Sequence, residues 1–236
     1  MDDTREMRFA AALIALADTL RPEHDVIDTM SLLVASVTDL TMASDAGILL
    51  VDPSGVLHVV ASTSERASDV EESQLGSADG PCLEAFRSAE RVDVPRLSDA
   101  QSTWPHYVEI AESRGFQAAH ALPLSHRDTH LGALGLFFER ADSFTEADAA
   151  IVGALAQVAT IALIQHRTIE HHVTLSDQLQ YALEARVLIE QAKGIVASQL
   201  GLSIDDAYTR MRDRARRDQL RMRDLAQELI DHRVTL

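Results

Sequence analysis

The stretch Ile189-Glu190-Gln191-Ala192-Lys193-Gly194-Ile195 decides how the C-terminal part of this chain is interpreted. Lys193 is the only lysine among the 21 basic residues of the protein. Seven arginines follow between positions 210 and 223, beside only two aspartates. A basic tract in a protein with a formal net charge of −16 predicts a negatively charged binding partner, or a negatively charged surface of the protein that packs against it. The alternative is an ordinary solvated helix whose charges pair with one another.

The charge is divided unevenly along the chain. Residues 1–172 contain 11 arginines against 27 acidic residues, which is a net charge of −16. Residues 173–236 contain 10 basic and 10 acidic residues and are neutral overall. An acidic body disfavours non-specific binding of nucleic acids, so we expect a polyanion to be met only by the C-terminal part.

The sequence predicts a soluble cytoplasmic protein. No stretch approaches the ~18 consecutive apolar residues of a membrane span. Met1-Asp2-Asp3 is an acidic start, without the basic beginning and apolar run of a signal peptide. The single cysteine, Cys82, excludes an internal disulfide and fits a reducing compartment.

The pattern of the first two thirds of the chain predicts an α+β domain built on an antiparallel sheet. Two apolar runs that flank an Asp-Pro-Ser-Gly turn predict one hairpin, and a second hairpin is predicted across residues 126–130. A polar segment, 62–77, separates the first hairpin from a helix that begins at Pro81. The remaining predicted elements are two N-terminal helices (5–20 and 26–40), a short strand (91–94), a helix after Trp104-Pro105 and a long helix from Thr145.

Several short motifs in this part carry a family resemblance: Gly80-Pro81-Cys82, Trp104-Pro105, Ala121-Leu122-Pro123-Leu124, Leu131-Gly132-Ala133-Leu134 and the helix after Phe144. With them, residues 26–165 resemble a GAF domain of the actinobacterial kind, preceded by an N-terminal helix in residues 1–25. The resemblance implies a six-stranded antiparallel sheet with helices on its faces. It also implies a pocket that senses a small molecule or a partner, and the ligand is unknown.

The long helix predicts a dimerisation segment over residues 145–182. Ile151, Leu155, Val158 and Ala162 begin an imperfect seven-residue rhythm that continues through Ile169, Leu179 and Leu183, with polar interruptions. The alternative is a helix that packs only on its own domain. A cluster of His166, His171 and His172 has no cysteine or paired carboxylate at ligand spacing, so no metal is expected.

The C-terminal part predicts a three-helix bundle. The first helix covers 178–199 and ends at Gly201, a residue suited to a left-handed cap. Ser203 is the predicted N-cap of the second helix, which ends at Asp218-Gln219. The third helix turns Leu225, Ala226, Leu229 and Ile230 inward.

These helices carry Ala185-Arg186-Val187, Ile189 to Gly194, Asp206-Ala207-Tyr208, Met211-Arg212 and Ala215-Arg216-Arg217. In this order and spacing they resemble the ANTAR domain, the RNA-binding module of transcription antiterminators, over residues 176–232. Met211 stands where leucine is usual, and Arg216 stands where a smaller residue often follows alanine. The RNA-binding candidates are Arg186, Gln191, Lys193, Gly194, Tyr208, Arg212, Arg216 and Arg217.

Guanidinium groups bind phosphates in forked pairs and stack on unpaired bases, which suits RNA loops. A glycine beside Lys193 allows a backbone or a base to approach closely. The sequence leaves open whether Tyr208 is a core residue or a stacking surface, and whether Arg210 and Arg214 bind RNA or pair with acids. We expect Glu190 and Gln191 to order Lys193 or the linker.

The resemblance implies a homodimer that grasps two hairpin loops of a leader RNA, prevents a terminator from forming and acts with the transcription machinery. An enzyme is the rival class, but one cysteine cannot form the resolving disulfide of a sulfoxide-reducing GAF domain. Cys82 remains a candidate redox or ligand sensor, because a helix N-terminus stabilises a thiolate, or else a buried packing residue. The other alternative is a helical tail that binds DNA or a protein partner.

Overall fold

The protein is described here by a computed structural model that covers residues 3–20, 25–52, 54–127, 129–169 and 175–231. The side chains of 3, 166–169 and 175–183 lie outside this description. The chain divides into two compact domains, residues 1–171 and residues 172–236.

An antiparallel sheet is the centre of the N-terminal domain. Its strands in chain order are β1 (Asp45–Val51), β2 (Leu57–Ser62), β3 (Val92–Val94), β4 (Ala118–His126) and β5 (Thr129–Phe138). They lie in the order β2-β1-β5-β4-β3, and both predicted hairpins are confirmed. The GAF resemblance implied six strands, whereas the described residues form five.

In the described part of this domain, six helices and one 3-10 turn cover the two faces of the sheet. They are α1 (Asp3–Asp18), α2 (Val26–Leu40), α3 (Glu65–Ser77), α4 (Pro81–Ser88), the 3-10 turn (Leu97–Ala100), α5 (Pro105–Ser113) and α6 (Glu146–Ile169). Helices α1, α2 and α6 pack on one face, where Leu33, Leu50 and Leu155 share a core. Helices α3, α4 and α5 pack on the other face. The predicted α+β class with an antiparallel sheet is confirmed.

No helix or strand was predicted for the polar segment 62–77, but most of it is helix α3. Ser64 caps the helix, and its side chain accepts a hydrogen bond from the Ala67 N–H. The buried side includes Ala67, Val70, Glu71 and Gln74, at helical spacing. Since two of these core positions are polar, the apolar periodicity that marks most helices is broken.

Helix α6 is strongly apolar. Glu146–Gln165 has the length and composition to cross a membrane, although polar residues interrupt its apolar run. Half of this segment is buried, and Val152, Leu155 and Ala159 lie in the core against the sheet. Leu155, one of the predicted heptad positions, therefore packs in the core of its own domain. The later heptad positions, from Ile169 onward, and the three histidines fall outside the described side chains.

The described residues of the C-terminal domain form three helices: α7 (Leu175–Leu200), α8 (Ile204–Asp218) and α9 (Met222–Ile230). They pack together through small buried residues such as Ala192, Ala207 and Ala226, which let the backbones approach closely. The predicted three-helix bundle is confirmed.

The turn between α7 and α8 follows from local chemistry. Gly201 has φ +64°, and the Leu202 N–H donates to the Ala197 carbonyl at 3.0 Å. Ser203 then accepts a hydrogen bond from the Asp206 N–H at 3.1 Å, as an N-cap does. Both predicted caps are confirmed.

Candidate functional site

Lys193 lies inside the C-terminal bundle rather than on its surface. Its ammonium is 2.8 Å from Glu190 Oε2 and 3.0 Å from Oε1, one turn earlier on α7. The same nitrogen lies 5.4 Å from the centre of the Tyr208 ring on α8. A lysine buried to this degree needs a counter-charge, and the carboxylate and the ring face supply it. The expectation that Glu190 orders Lys193 agrees with this geometry.

One flank of α8 begins at Tyr208, which contacts Lys193 of α7, and continues with Arg212 and Arg216. They are spaced four residues apart, so each lies about 40° further round the helix than the one before. Tyr208 is half-buried, and Arg212 is half-buried with its Nε atom enclosed and without a hydrogen-bond partner in the described part of the chain. Arg216 is exposed and makes no ion pair within the described residues. We call Lys193, Tyr208, Arg212 and Arg216 the Lys193 strip.

The opposite flank of α8 carries the other arginines. Arg217 and Arg210 lie roughly 160–180° round the helix from Tyr208, so they do not join the Lys193 strip. Arg214 forms an ion pair with Asp218 one turn later. This contact favours the salt-bridge interpretation of Arg214. Arg210 is exposed and has no ion pair among the residues that the structure describes.

The remaining candidates lie on α7. Arg186 is half-buried and stands seven residues before Lys193, which is about two turns, on the same side of the helix. Gln191 is exposed and points about 160° away from Lys193. Gly194 is exposed, and a Cβ atom added there would meet nothing within 4 Å. Of the predicted residues, therefore, Gln191 and Arg217 are not brought together with the others.

A second site, which the sequence did not reveal, is a buried polar cluster in the N-terminal domain. The Glu71 side chain on α3 is fully buried, and Gln74 Nε2 donates to its Oε2 at 2.8 Å. Cys82 Sγ on α4 lies 3.3 Å from Glu71 Oε1, and the Cys82 N–H donates to Gln74 Oε1 at 2.9 Å. The buried hydroxyl of Tyr107 has no hydrogen-bond partner within the described residues.

Burial changes the acid–base properties of this cluster. It raises the pKa of Glu71 to about 8, against a hydrogen bond from Cys82 that acts in the opposite direction. It also raises the pKa of the Cys82 thiol, and the neighbouring Glu71 raises it further. The helix N-terminus had predicted a stabilised thiolate, but this environment favours the protonated thiol. Cys82 is 1% exposed, as a packing residue is.

The sheet makes room for the cluster with glycine. A Cβ atom on Gly135 would lie 2.3 Å from Glu71 Oε1 and 2.8 Å from Cys82 Sγ. A Cβ atom on Gly47 would lie 2.7 Å from Glu71 Cγ. Strands β1 and β5 therefore lack side chains at the two places where the buried acid approaches them.

Comparison with protein families gives two matches. The family model of the GAF domain matches residues 23–164, which is more than half of the chain. The family model of the ANTAR domain matches residues 177–230, where the Lys193 strip lies. A search of curated proteins finds no significant match.

Solved structures resemble the N-terminal domain at low sequence identity. The GAF domain of an Acinetobacter phosphoenolpyruvate-protein phosphotransferase is 13% identical with a TM-score of 0.53, over 72% of this chain and 99% of that one. Free methionine-R-sulfoxide reductase from Neisseria meningitidis is 18% identical with a TM-score of 0.52, over 72% and 95%. The GAF domain of cyanobacteriochrome TePixJ is 18% identical with a TM-score of 0.51, over 61% and 92%.

These similarities establish the fold of the N-terminal domain and carry no ligand or activity with them. GAF and ANTAR domains are regulatory modules, and an ANTAR domain implies RNA binding. Both predicted modules occur in the predicted order. The chain belongs to the GAF family and continues into an ANTAR domain, an architecture typical of signal-responsive regulators.

Proposed function

We propose that this protein is an RNA-binding regulator that acts by transcription antitermination. Two C-terminal domains of a homodimer each bind one hairpin loop of a paired-hairpin element in a leader RNA. Holding this element prevents a competing terminator from forming. The observation that carries the proposal is the Lys193 strip, a run of cationic groups beside an aromatic ring in a protein with a net charge of −16.

The chemistry of the strip supports RNA loops as the ligand. Arg216 is exposed, and Arg212 keeps an enclosed Nε atom without a hydrogen-bond partner in the described region. A guanidinium group gains most from a phosphate or a base that supplies two acceptors. Lys193 occupies one face of the Tyr208 ring, so a stacking base has the other face or the edge available.

The N-terminal domain supplies the input in this proposal. A signal of unknown identity changes the GAF domain, and the helices between the two domains pass the change to the RNA-binding bundle in the cytoplasm. The protein is not an enzyme in this proposal. A single cysteine, held protonated beside Glu71, cannot carry out a reduction that requires a resolving thiol.

The test is a titration of the full chain with a double-hairpin RNA that has two hexanucleotide loops. We expect Arg212→Ala and Arg216→Ala each to weaken binding about tenfold, because each removes a charged contact on the strip. Arg214→Ala is the matched control, since this arginine is on the other flank and paired with Asp218. We expect it to change the affinity less than about threefold.

Two further RNAs complete the design. A single-hairpin RNA should bind much more weakly than the double hairpin if two domains engage at once. An RNA with scrambled loops should lose binding. Equal binding to duplex DNA and to scrambled loops would overturn the proposal in favour of a DNA-binding tail.

A further inference from the structure

The polar group that meets solvent beside the Lys193 strip is a carboxylate, not the ammonium. The Lys193 side chain is 9% exposed, whereas the Glu190 side chain is 46% exposed. Both oxygens of Glu190 lie within 3.0 Å of Lys193 Nζ. An approaching RNA therefore meets an acceptor group that the lysine holds in one orientation.

A carboxylate on a phosphate-binding surface repels the RNA backbone, so its position needs a specific reason. An ionised carboxylate accepts hydrogen bonds and donates none, and its two oxygens have about four acceptor positions. Lys193 uses only part of this capacity. In RNA, the N–H donors that suit such a group are on the edges of unpaired bases.

Space for a base adjoins this carboxylate. Gly194 lies four residues after Glu190, which places the two on neighbouring turns of the same side of α7. A Cβ atom at Gly194 would meet nothing within 4 Å, so the glycine is not required by packing inside the bundle. The Tyr208 ring lies 5.4 Å from the Lys193 ammonium, which is also the ion-pair partner of Glu190. We call this place the Glu190–Gly194 notch.

We propose that the Glu190–Gly194 notch binds one unpaired guanine of the RNA loop, with Glu190 as the specificity-determining residue. Guanine has two adjacent N–H donors, N1–H and the N2 amino group, and they match the two oxygens of a carboxylate. The other three bases each present one N–H donor group on this edge. The inference rests on the proposed RNA-binding function and adds to it the identity of a base that is read.

The test uses a panel of double-hairpin RNAs whose loops contain one guanosine, moved through the six loop positions among adenosines and uridines. We expect one position to give the tightest binding to the full chain. Inosine at this position lacks the N2 amino group and should bind about tenfold more weakly. For Glu190→Gln, guanosine and inosine should bind within about twofold of each other, because the amide retains one acceptor only.

Glu184→Gln is the matched control, because it removes the same charge from an exposed position about 120° round α7 from Glu190. It should keep the guanosine preference of the unmodified protein. A circular dichroism melt of Glu190→Gln identifies any loss of the folded bundle.

The outcomes separate this inference from the proposed function. If the unmodified protein binds the hairpins without preference for guanosine, or if Glu190→Gln weakens every RNA equally, Glu190 only positions Lys193 and the inference is overturned. If the unmodified protein binds none of the RNAs, the proposed function fails and the inference fails with it.

Discussion

Glu71 is the residue with the clearest effect on stability. Its pKa rises from 4.5 to about 8 because folding removes the carboxyl group from water. The folded domain therefore favours the protonated acid. The stabilisation is complete below about pH 4.5 and is lost as the pH rises towards 8, since the unfolded chain then releases its proton more easily.

We predict that the contribution of Glu71 to the free energy of unfolding of the N-terminal domain falls by about 1.4 kcal/mol per pH unit between roughly pH 5 and 8. Glu71→Gln should remove most of this slope, because the amide does not titrate. Trp104 is the only tryptophan and packs in this domain, so its fluorescence during urea denaturation measures the effect.

Glu72→Gln is the control, since Glu72 is the exposed neighbour on the same helix. A slope that persists unchanged in Glu71→Gln would show that another group controls the pH dependence. Cys82 and Tyr107 also have raised pKa values, and they contribute only at higher pH.

Sequence reasoning did not find Glu71 because its role depends on contacts between distant parts of the chain. The glycines that admit it, Gly47 and Gly135, lie on two strands 88 positions apart. In contrast, Ser203 and Gly201 were predicted correctly because a cap depends on its immediate neighbours. The burial of Lys193 was also missed, since it requires a partner on another helix.

Among the elements, α7 has the most informative position, Gly194. A glycine within a helix costs about 1 kcal/mol relative to alanine. Since a methyl group at Gly194 meets no other atom, Gly194→Ala should stabilise the C-terminal bundle by about this amount. The same methyl group would fill the Glu190–Gly194 notch.

We therefore predict that Gly194→Ala raises the melting temperature of the bundle and weakens RNA binding at least fivefold. Thermal denaturation followed by circular dichroism and RNA titration measure the two effects. Gly153→Ala is the matched control, because a Cβ atom on Gly153, within α6, would also meet nothing within 4 Å. It should leave RNA binding unchanged. Unaltered RNA binding by Gly194→Ala would show that no ligand approaches this side of α7.

The helix α3 shows why element prediction fails at a particular point. Its buried positions follow the helical period, but Glu71 and Gln74 are polar. Patterns of apolar residues therefore lose their signal where a core is polar. Strand β1 and helix α2 were predicted because most of their buried positions are apolar.

At the scale of the whole molecule, we expect the two domains to differ in their response to pH. The raised pKa of the buried Glu71 carboxyl group lies in the N-terminal domain. We predict that urea unfolding of the full chain shows two transitions that separate further as the pH rises from 6 to 8.5. The transition followed by Trp104 should move to lower urea, and the remaining helical signal should keep its midpoint.

The measurement compares tryptophan fluorescence with circular dichroism at 222 nm over the same urea series. Coincident transitions at both pH values would mean that the two domains unfold as one cooperative unit. In Glu71→Gln, the separation between the two transitions should no longer depend on pH.

Lys193 has a further consequence because it is the only lysine and its side chain is enclosed. An amine-specific reagent can modify this nitrogen only when the bundle opens far enough to release it from Glu190 and Tyr208. The rate of acylation at one position therefore reports how often the C-terminal domain opens, without any introduced label. A bound RNA that holds the bundle closed would slow this reaction. The acylation rate of Lys193 would then report the fraction of the protein that has RNA bound.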